Sequence, residues 1–249
     1  MSRYENVRAI VLSSRPLGEA DRIVGLFSRE LGRVDAVVKG VRRTKSRWGG
    51  RLEPFGVVDL VLFRGRSLYT VTSAQLVASF NHVREDREAM TAAALACEAA
   101  AGLFGEEEQH ERVFNLLVHA LREIDQGFAG PATSSPLVLG VVMKLLHEAG
   151  YLPVLDQCAH CGSGGLALAF SASRGGLVCE CSVGEGVPVT REAIDAMRSS
   201  VELSLAELRA LPSGPGAAEA LRDAHLLYMH QTGGRLRALR FAQRSRTGR

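Results

Sequence analysis

The chain has 249 residues, of which 46% are hydrophobic, so it can bury a core and divide into a small and a larger domain without disulfide support. No apolar run reaches the roughly 18 residues that a membrane helix needs, and residues 1–8 are charged where a secretion signal would turn apolar. We therefore expect a cytoplasmic protein rather than a membrane-spanning or secreted one.

The net charge of +3 conceals a segregated charge pattern. Residues 1–80 contain 14 Lys or Arg and 7 Asp or Glu, whereas residues 81–234 contain 10 and 20. The last fifteen residues contain six arginines and no acidic residue. Because a local field attracts a polyanion more than the total charge does, the two basic ends are candidate contacts for one. For the C-terminal arginines, a disordered tail is an equal alternative.

Apolar runs bounded by turn residues predict about five short strands in the first eighty residues. The last two runs are joined by Arg64-Gly65-Arg66, a short connection of hairpin type. Most of the segments between these runs lack the three- to four-residue spacing of apolar residues that is typical of a helix. The pattern predicts a small closed barrel, either an OB-fold or an SH3-like barrel. The predicted strands are residues 7–14, 22–28, 33–41, 56–63 and 67–72.

The pattern changes to helical spacing near residue 83, where apolar residues begin to recur at three- and four-residue steps. Further along, Thr190 is placed to cap one helix, and Ser204 with Glu207 forms a capping box for another. A last helix is predicted from residue 217 to about 241. The chain is therefore predicted to be α+β, with a barrel domain at 1–80 and a helical domain at 81–249 that contains a cysteine-rich, irregular insertion at 155–189.

A run of cations lies between two predicted strands, with Trp48 among them. A loop that offers cations and an aromatic ring can hold phosphates and stack a base, as proteins that bind single strands do. The alternative is a solvated loop that aids solubility, with Trp48 as a packing residue. The run has six cations and no acid: Lys39, Arg42, Arg43, Lys45, Arg47 and Arg51.

Four of the five cysteines crowd into 24 residues and indicate a metal site rather than a disulfide framework. Cys158-Ala-His-Cys161 forms a knuckle, and Cys179-Glu-Cys181 supplies two further thiols, so that four thiolates can close a tetrahedral structural zinc site. The one-residue gap in the second pair is shorter than usual. A free-thiol interpretation, or one in which His160 replaces a cysteine, therefore remains open. A redox pair is disfavoured because Cys158 does not open a helix after a strand.

No motif for phosphate-loop, dinucleotide, serine-hydrolase or zinc-protease chemistry occurs, so we expect no enzyme activity. Glu106, Glu107, Glu108 and Glu111 lie beside His110. We interpret these glutamates as a solvated helix start that favours the helix dipole.

In combination, these residues and several short motifs resemble the RecO family of recombination mediators over nearly the full chain. At the position of the second cysteine pair, zinc-bearing members have two intervening residues, and this chain has one. The motifs that carry the resemblance are Gly18-Glu19-Ala20-Asp21-Arg22-Ile23, Leu31-Gly32, Lys39-Gly40-Val41-Arg42-Arg43, Leu52-Glu53-Pro54-Phe55, the Cys158/Cys161 knuckle and Gly175-Gly176-Leu177-Val178-Cys179.

The resemblance implies an OB-fold that binds single- and double-stranded DNA and anneals complementary strands, followed by a helical domain with an optional zinc motif. It implies partnership with the ring-forming mediator RecR, docking of the tail of single-stranded DNA-binding protein on the helical domain, recombinase loading, and a place at the nucleoid. Our candidate metal ligands are Cys158, Cys161, Cys179 and Cys181. Our candidate DNA-binding residues are Arg15, Arg22, Lys39, Arg42, Arg43, Lys45, Arg47, Trp48, Arg51, Arg64 and Arg66.

Two other functions fit the composition. One is an RNA- or ribosome-associated module with an OB-fold and a zinc ribbon. The other is an enzyme that uses the cysteines for redox or metal chemistry. Competition between RNA and DNA of equal length separates the first from DNA binding, and metal analysis with thiol titration tests the second.

Overall fold

The computed structural model describes residues 3–42, 48, 50–164, 169–182 and 184–239. The chain forms two compact units. The first contains Met1–Asn81 together with Phe104–Arg122, and the second contains His82–Leu103 together with Glu123–Arg249. The domain boundary at residue 80 stays a prediction. Within the described residues, no helix is both long enough and apolar enough to cross a membrane.

The first unit contains a closed five-stranded barrel with the strand order β1-β2-β3-β5-β4, which confirms the predicted OB-type barrel. The long strand β1 pairs with β4 along its first half and with β2 along its second half, and a bulge separates Val11 from Ser13. Parallel pairing of β3 with β5 closes the circle. The strands are β1 Tyr4–Leu17, β2 Asp21–Ser28, β3 Gly32–Val38, β4 Val57–Arg64 and β5 Tyr69–Ala78.

The barrel core follows the two-residue period of its strands. On β3, for example, Val34, Ala36 and Val38 are buried, whereas the residues between them are partly exposed. The connection from β3 to β4 also contributes two side chains, Trp48 and Leu52, which are 3% and 4% exposed. They pack with the strand side chains, so this connection belongs to the core as well as to the surface.

The second unit is mainly helical, and α3 is shared between the units, since its residues up to Arg122 belong to the first. The Thr190 cap and the Ser204–Glu207 capping box are both present, as the sequence predicted. The helices are α1 Asn81–Glu85, α2 Arg87–Leu103, α3 Glu111–Asp125, α4 Pro136–Glu148, α5 Arg191–Glu202, α6 Leu205–Ala210 and α7 Pro215–Thr232.

The last helix is shorter than the sequence indicated. The prediction extended it to about residue 241, but α7 ends at Thr232 because Gly233 adopts the left-handed conformation, with φ of 67°, and helical conformation resumes only at residues 237–239. Most of the basic tail, residues 240–249, lies outside the described residues.

A buried carboxylate lies in α7. The Asp223 side chain is fully buried, and its Oδ1 accepts hydrogen bonds from the neighbouring Arg222 guanidinium, whereas Oδ2 has no partner among the described residues. Burial raises the pKa of Asp223 to about 6, although the Arg222 guanidinium opposes this shift. The folded state therefore favours the protonated Asp223 side chain more than the unfolded chain does.

We expect Asp223 to make the free energy of unfolding fall as pH rises. The folded pKa lies above the ordinary value of 3.8, so the penalty is absent below about pH 4 and is complete above about pH 7, where it reaches roughly 3 kcal/mol. The variant Asp223→Asn should lack this dependence when urea unfolding is measured across that range. Asp195→Asn, on the exposed side of α5, is the control and should behave like the wild type. Equal pH slopes for the wild type and Asp223→Asn would contradict the expectation.

Candidate nucleic-acid interface and metal centre

The start of the β3–β4 connection is fixed against the β1–β2 turn. The Gly40 N–H donates to Asp21 Oδ1 at 2.8 Å, and the Arg42 N–H donates to the Ala20 carbonyl at 3.0 Å. Gly40 has a φ of 68°, which a glycine adopts without strain. The two connections therefore present their side chains at the same end of the barrel, which we call the loop end.

Five predicted cations lie at the loop end. Arg15 and Arg22 come from the paired ends of β1 and β2, where Pro16 is opposite Arg22. Lys39 and Arg42 are exposed in the connection that follows β3. Arg51 is joined to them through Trp48, whose carbonyl accepts from the Arg51 N–H at 2.9 Å. The complete set is Arg15, Arg22, Lys39, Arg42 and Arg51.

The contacts given for Arg15, Arg22 and Arg42 leave much of their charge unneutralised. The Arg42 guanidinium donates to the Gly18 carbonyl at 3.1 Å, and Arg22 donates to Ser14 Oγ at 3.4 Å, so both contact neutral oxygens. Arg15 forms a long ion pair with Asp35 at 3.5 Å, and 66% of its side chain is exposed. The loop end can therefore attract phosphates.

Trp48 lies in the core of the barrel. Its indole N–H donates to the Lys39 carbonyl at 2.9 Å, and its side chain is almost completely buried. A buried ring has no face for a base, so the packing alternative fits this conformation better than base stacking. Trp48 instead holds the connection that carries Lys39 and Arg51.

The other predicted cations do not join this group. Arg64 and Arg66 lie at the β4–β5 turn, which adjoins the first residues of β1, whereas Arg15 lies near the last. Arg64 forms an ion pair with Glu107 at 2.7 Å. Arg43, Lys45 and Arg47 lie outside the described residues.

Sequence reasoning did not identify the ion pairs of the glutamates before α3. Glu106 and Glu107 pair with Arg33 and Arg64 of the barrel instead of forming only a solvated helix start. The paired residues are more than forty positions apart, so no local spacing indicates the contact.

The cysteine motif forms a compact sulfur cluster in the second unit. In the knuckle, the Gly162 N–H donates to the Cys158 carbonyl at 2.9 Å, with Gly162 at a φ of 73°. Cys179 follows β7 Gly176–Val178, which pairs with β6 Ala169–Ser171, and β6 also pairs with β8 Val187–Pro188. The small sheet therefore brings Cys179 and Cys181, the second pair of thiols, beside Cys158 and Cys161.

The geometry of the four thiols fits a tetrahedral metal. All four Sγ atoms lie within 4.8 Å of one another, and neighbouring pairs are 3.3 to 3.6 Å apart. A Zn–S bond of about 2.3 Å in a tetrahedron requires sulfur separations of roughly 3.8 Å. The 3-10 turn Glu180–Ser182 bends the chain so that Cys179 and Cys181 converge despite the one-residue gap. Four cysteines at this spacing can hold a metal ion.

The surroundings of the cluster affect its thiols unequally. The backbone N–H groups of Cys161 and Cys179 lower the pKa of the Cys158 thiol to about 5, whereas the hydrogen bond with Cys179 raises the pKa of the Cys181 thiol to about 12. His160 shares a 2.6 Å hydrogen bond with Ser182 Oγ and lies outside the four-sulfur set. The four-cysteine arrangement therefore fits the structure better than one in which His160 replaces a cysteine.

Comparison with known proteins identifies one family over nearly the whole chain. Residues 1–80 match the model described as Recombination protein O N terminal, and residues 84–240 match Recombination protein O C terminal. The protein named DNA repair protein RecO of Rubrobacter xylanophilus is 39% identical over 236 residues, which are 91% of this chain and 92% of the relative. The protein of the same name from Frankia casuarinae is 40% identical over 226 residues, 87% of this chain and 91% of the relative.

Trp48 provides a test of packing against base stacking. We expect Trp48→Ala to lower the free energy of unfolding by about 3–5 kcal/mol, because it empties a buried aromatic site. Trp48→Leu keeps an apolar side chain and removes the aromatic face, so its affinity for an oligothymidylate should equal that of the wild type. Urea unfolding and fluorescence anisotropy measure the two quantities. A folded Trp48→Leu protein with weakened oligonucleotide binding would show that the ring contacts a base.

Proposed function

The chain belongs to the Recombination protein O family, and from this we propose that it is a DNA-repair recombination mediator. In this proposal it binds single- and double-stranded DNA, anneals complementary strands, and helps to load a recombinase onto single strands coated by their binding protein. It does so by binding alone, without enzymatic bond chemistry, in the cytoplasm at the nucleoid. The observation that supports DNA binding most directly is the group of cations at the loop end.

The proposed interface is the loop end together with the rest of its cationic connection. Lys39 and Arg42 are exposed, and their neighbours in sequence add three further cations. Each phosphate that they neutralise releases condensed counterions, which favours binding. The proposed contact residues are Arg15, Arg22, Lys39, Arg42, Arg43, Lys45, Arg47 and Arg51, with Arg64 and Arg66 as a second contact.

Annealing follows from the same electrostatics. Two DNA strands repel each other through their phosphates, and this repulsion slows their pairing. A surface that neutralises phosphates of both strands lowers the repulsion without reading base sequence. Trp48 contributes by packing, since its burial and its hydrogen bond to the Lys39 carbonyl hold the described part of the connection, which carries Lys39 and Arg51.

The proposed partners are the ring-forming mediator RecR and the tail of single-stranded DNA-binding protein. Because of the family membership, we place the docking site of this tail on the helical unit. We further propose that Cys158, Cys161, Cys179 and Cys181 hold a structural zinc ion. Thiolates suit zinc, and four protein ligands leave no open position for a reacting molecule. The ion would then stabilise the fold of the small strands around it.

The first test of this function is the salt dependence of DNA binding. We expect Lys39→Ala combined with Arg42→Ala to weaken binding to an oligothymidylate and to reduce the slope of log affinity against log salt by about 1.4, because two phosphate contacts on a single strand are lost. Strand annealing on DNA coated with its binding protein should slow in parallel. Anisotropy titrations between about 50 and 200 mM salt measure the slope.

A control with the same change of charge is Arg84→Ala combined with Arg191→Ala, two exposed residues of the helical unit. This variant should keep the wild-type slope. Unchanged affinity and slope in the Lys39/Arg42 variant would contradict the proposed interface. Competition with RNA of equal length separates a DNA mediator from an RNA-binding module, since RNA that competes better than DNA would favour the second function.

The metal proposal has its own test. We expect about one zinc per chain by atomic emission, and we expect Cys161→Ser combined with Cys179→Ser to lose it and to lower the Tm. Cys97→Ala is the matched control, because Cys97 is a buried thiol of α2 that lies outside the sulfur cluster. The control should retain the zinc. A wild-type protein without bound metal, or a double variant that keeps it, would refute the assignment.

A further inference from the structure

The segment that precedes α3 is fixed to the barrel by its backbone and by an aromatic contact. The Glu107 N–H donates to the Arg33 carbonyl at 3.1 Å, in a parallel bridge beside β3. The Phe104 ring is 5% exposed and packs edge-on against Phe27 at 6.2 Å. At Gly32, a Cβ atom would lie 1.8 Å from the Glu108 carbonyl oxygen, so the close approach requires glycine. This attachment does not depend on any carboxylate.

Two carboxylates of this segment and one in the first turn of α3 pair with three arginines of the barrel. Glu106 pairs with Arg33 at 2.5 Å, and Glu107 pairs with Arg64 at 2.7 Å. Glu107 also accepts a hydrogen bond from the Tyr69 hydroxyl at 3.3 Å. Glu111 pairs with Arg29. We call Glu106, Glu107 and Glu111 the acidic clamp.

The arginines of these pairs lie at two connections of the barrel. Arg29 belongs to the β2–β3 turn, Arg33 to the start of β3, and Arg64 to the end of β4. Between 34% and 55% of each arginine side chain is exposed, as is 48% to 68% of each glutamate side chain. Exposed ion pairs of this kind contribute little to stability and exchange partners easily. The clamp therefore affects the surface potential more than it affects the fold.

We propose that Arg29, Arg33 and Arg64 form a second phosphate-binding surface, which the acidic clamp masks and which DNA phosphates unmask by displacing its carboxylates. This inference rests on the proposed function, because it assumes that the loop end brings DNA to the barrel. The backbone attachment keeps the carboxylates close to the arginines, so they compete with phosphate at a high local concentration. The barrel then binds DNA less tightly than its arginines allow.

The test removes the clamp charges and leaves the segment in place. The triple variant Glu106→Gln, Glu107→Gln, Glu111→Gln should bind an oligothymidylate roughly ten-fold more tightly at about 200 mM salt, with a steeper salt slope by about two units, because additional cations become available to phosphates. Adding Arg33→Ala and Arg64→Ala to the triple variant should remove most of the gain. Circular dichroism and Tm should show that each variant is folded.

The matched control is Glu148→Gln, Glu192→Gln, Glu202→Gln, three exposed glutamates of the helical unit that form no ion pair with any residue in the described part of the chain. It raises the net charge by the same three units and should leave affinity and slope at their wild-type values. An equal gain in the control, or no gain in the clamp variant, would overturn the masking role.

The result also separates the two proposals. If the wild type binds DNA and the Lys39/Arg42 variant weakens binding, but the clamp variant binds like the wild type, the masked surface fails and the proposed function stands. If neither the wild type nor the clamp variant binds DNA in dilute buffer, the proposed function fails together with the inference.

Discussion

The double use of β1 is the constraint on which the barrel depends. One strand pairs with β4 along its first half and with β2 along its second half, and the bulge after Val11 interrupts the pairing with β2 just beyond Ile10, the last partner of β4. Opposite this bulge, a Cβ atom at Gly25 would lie 2.7 Å from Ser13 Oγ, so a side chain there would press on the strand. The β1–β2 turn follows the last residues of β1, whereas the β4–β5 turn lies beside its first residues. The loop end and the acidic clamp therefore have separate positions on one small barrel.

The arginines at these two positions have different hydrogen-bond acceptors. At the loop end, Arg42 and Arg22 donate to neutral oxygens, whereas Arg33 and Arg64 donate to carboxylates. A polyanion therefore meets exposed charge at the loop end first and meets masked charge elsewhere. In the masking that we propose, the clamp would keep the affinity for DNA moderate without reducing the number of cations.

The sequence predicts features that depend on neighbours a few residues apart. The five strands, the Thr190 cap and the Ser204 capping box follow from short periods and from hydrogen bonds within one turn. It leaves open whether Trp48 packs in the core or stacks on a base, and it does not predict the ion pair of Arg64 with Glu107, because these contacts join distant segments. The Cys179–Cys181 gap appears unfavourable when residues are counted, yet a 3-10 turn brings the sulfur atoms together. The apolar pattern after residue 232 is helix-like, but the backbone of Gly233 ends the helix.

The junction of β3 with β5 has a consequence for the order of folding. Among the described residues, the two strands pair through Ala36 with Tyr69 and Val37 with Thr70, whereas β1, β2 and β3 form an antiparallel meander of neighbours in sequence. Local pairings form early because little chain entropy is lost in bringing them together, and distant pairings form late. We therefore expect the meander to form before β5 closes the barrel. A nascent chain that ends after β3 already contains many of the arginines, but it lacks the closed barrel that holds them in place.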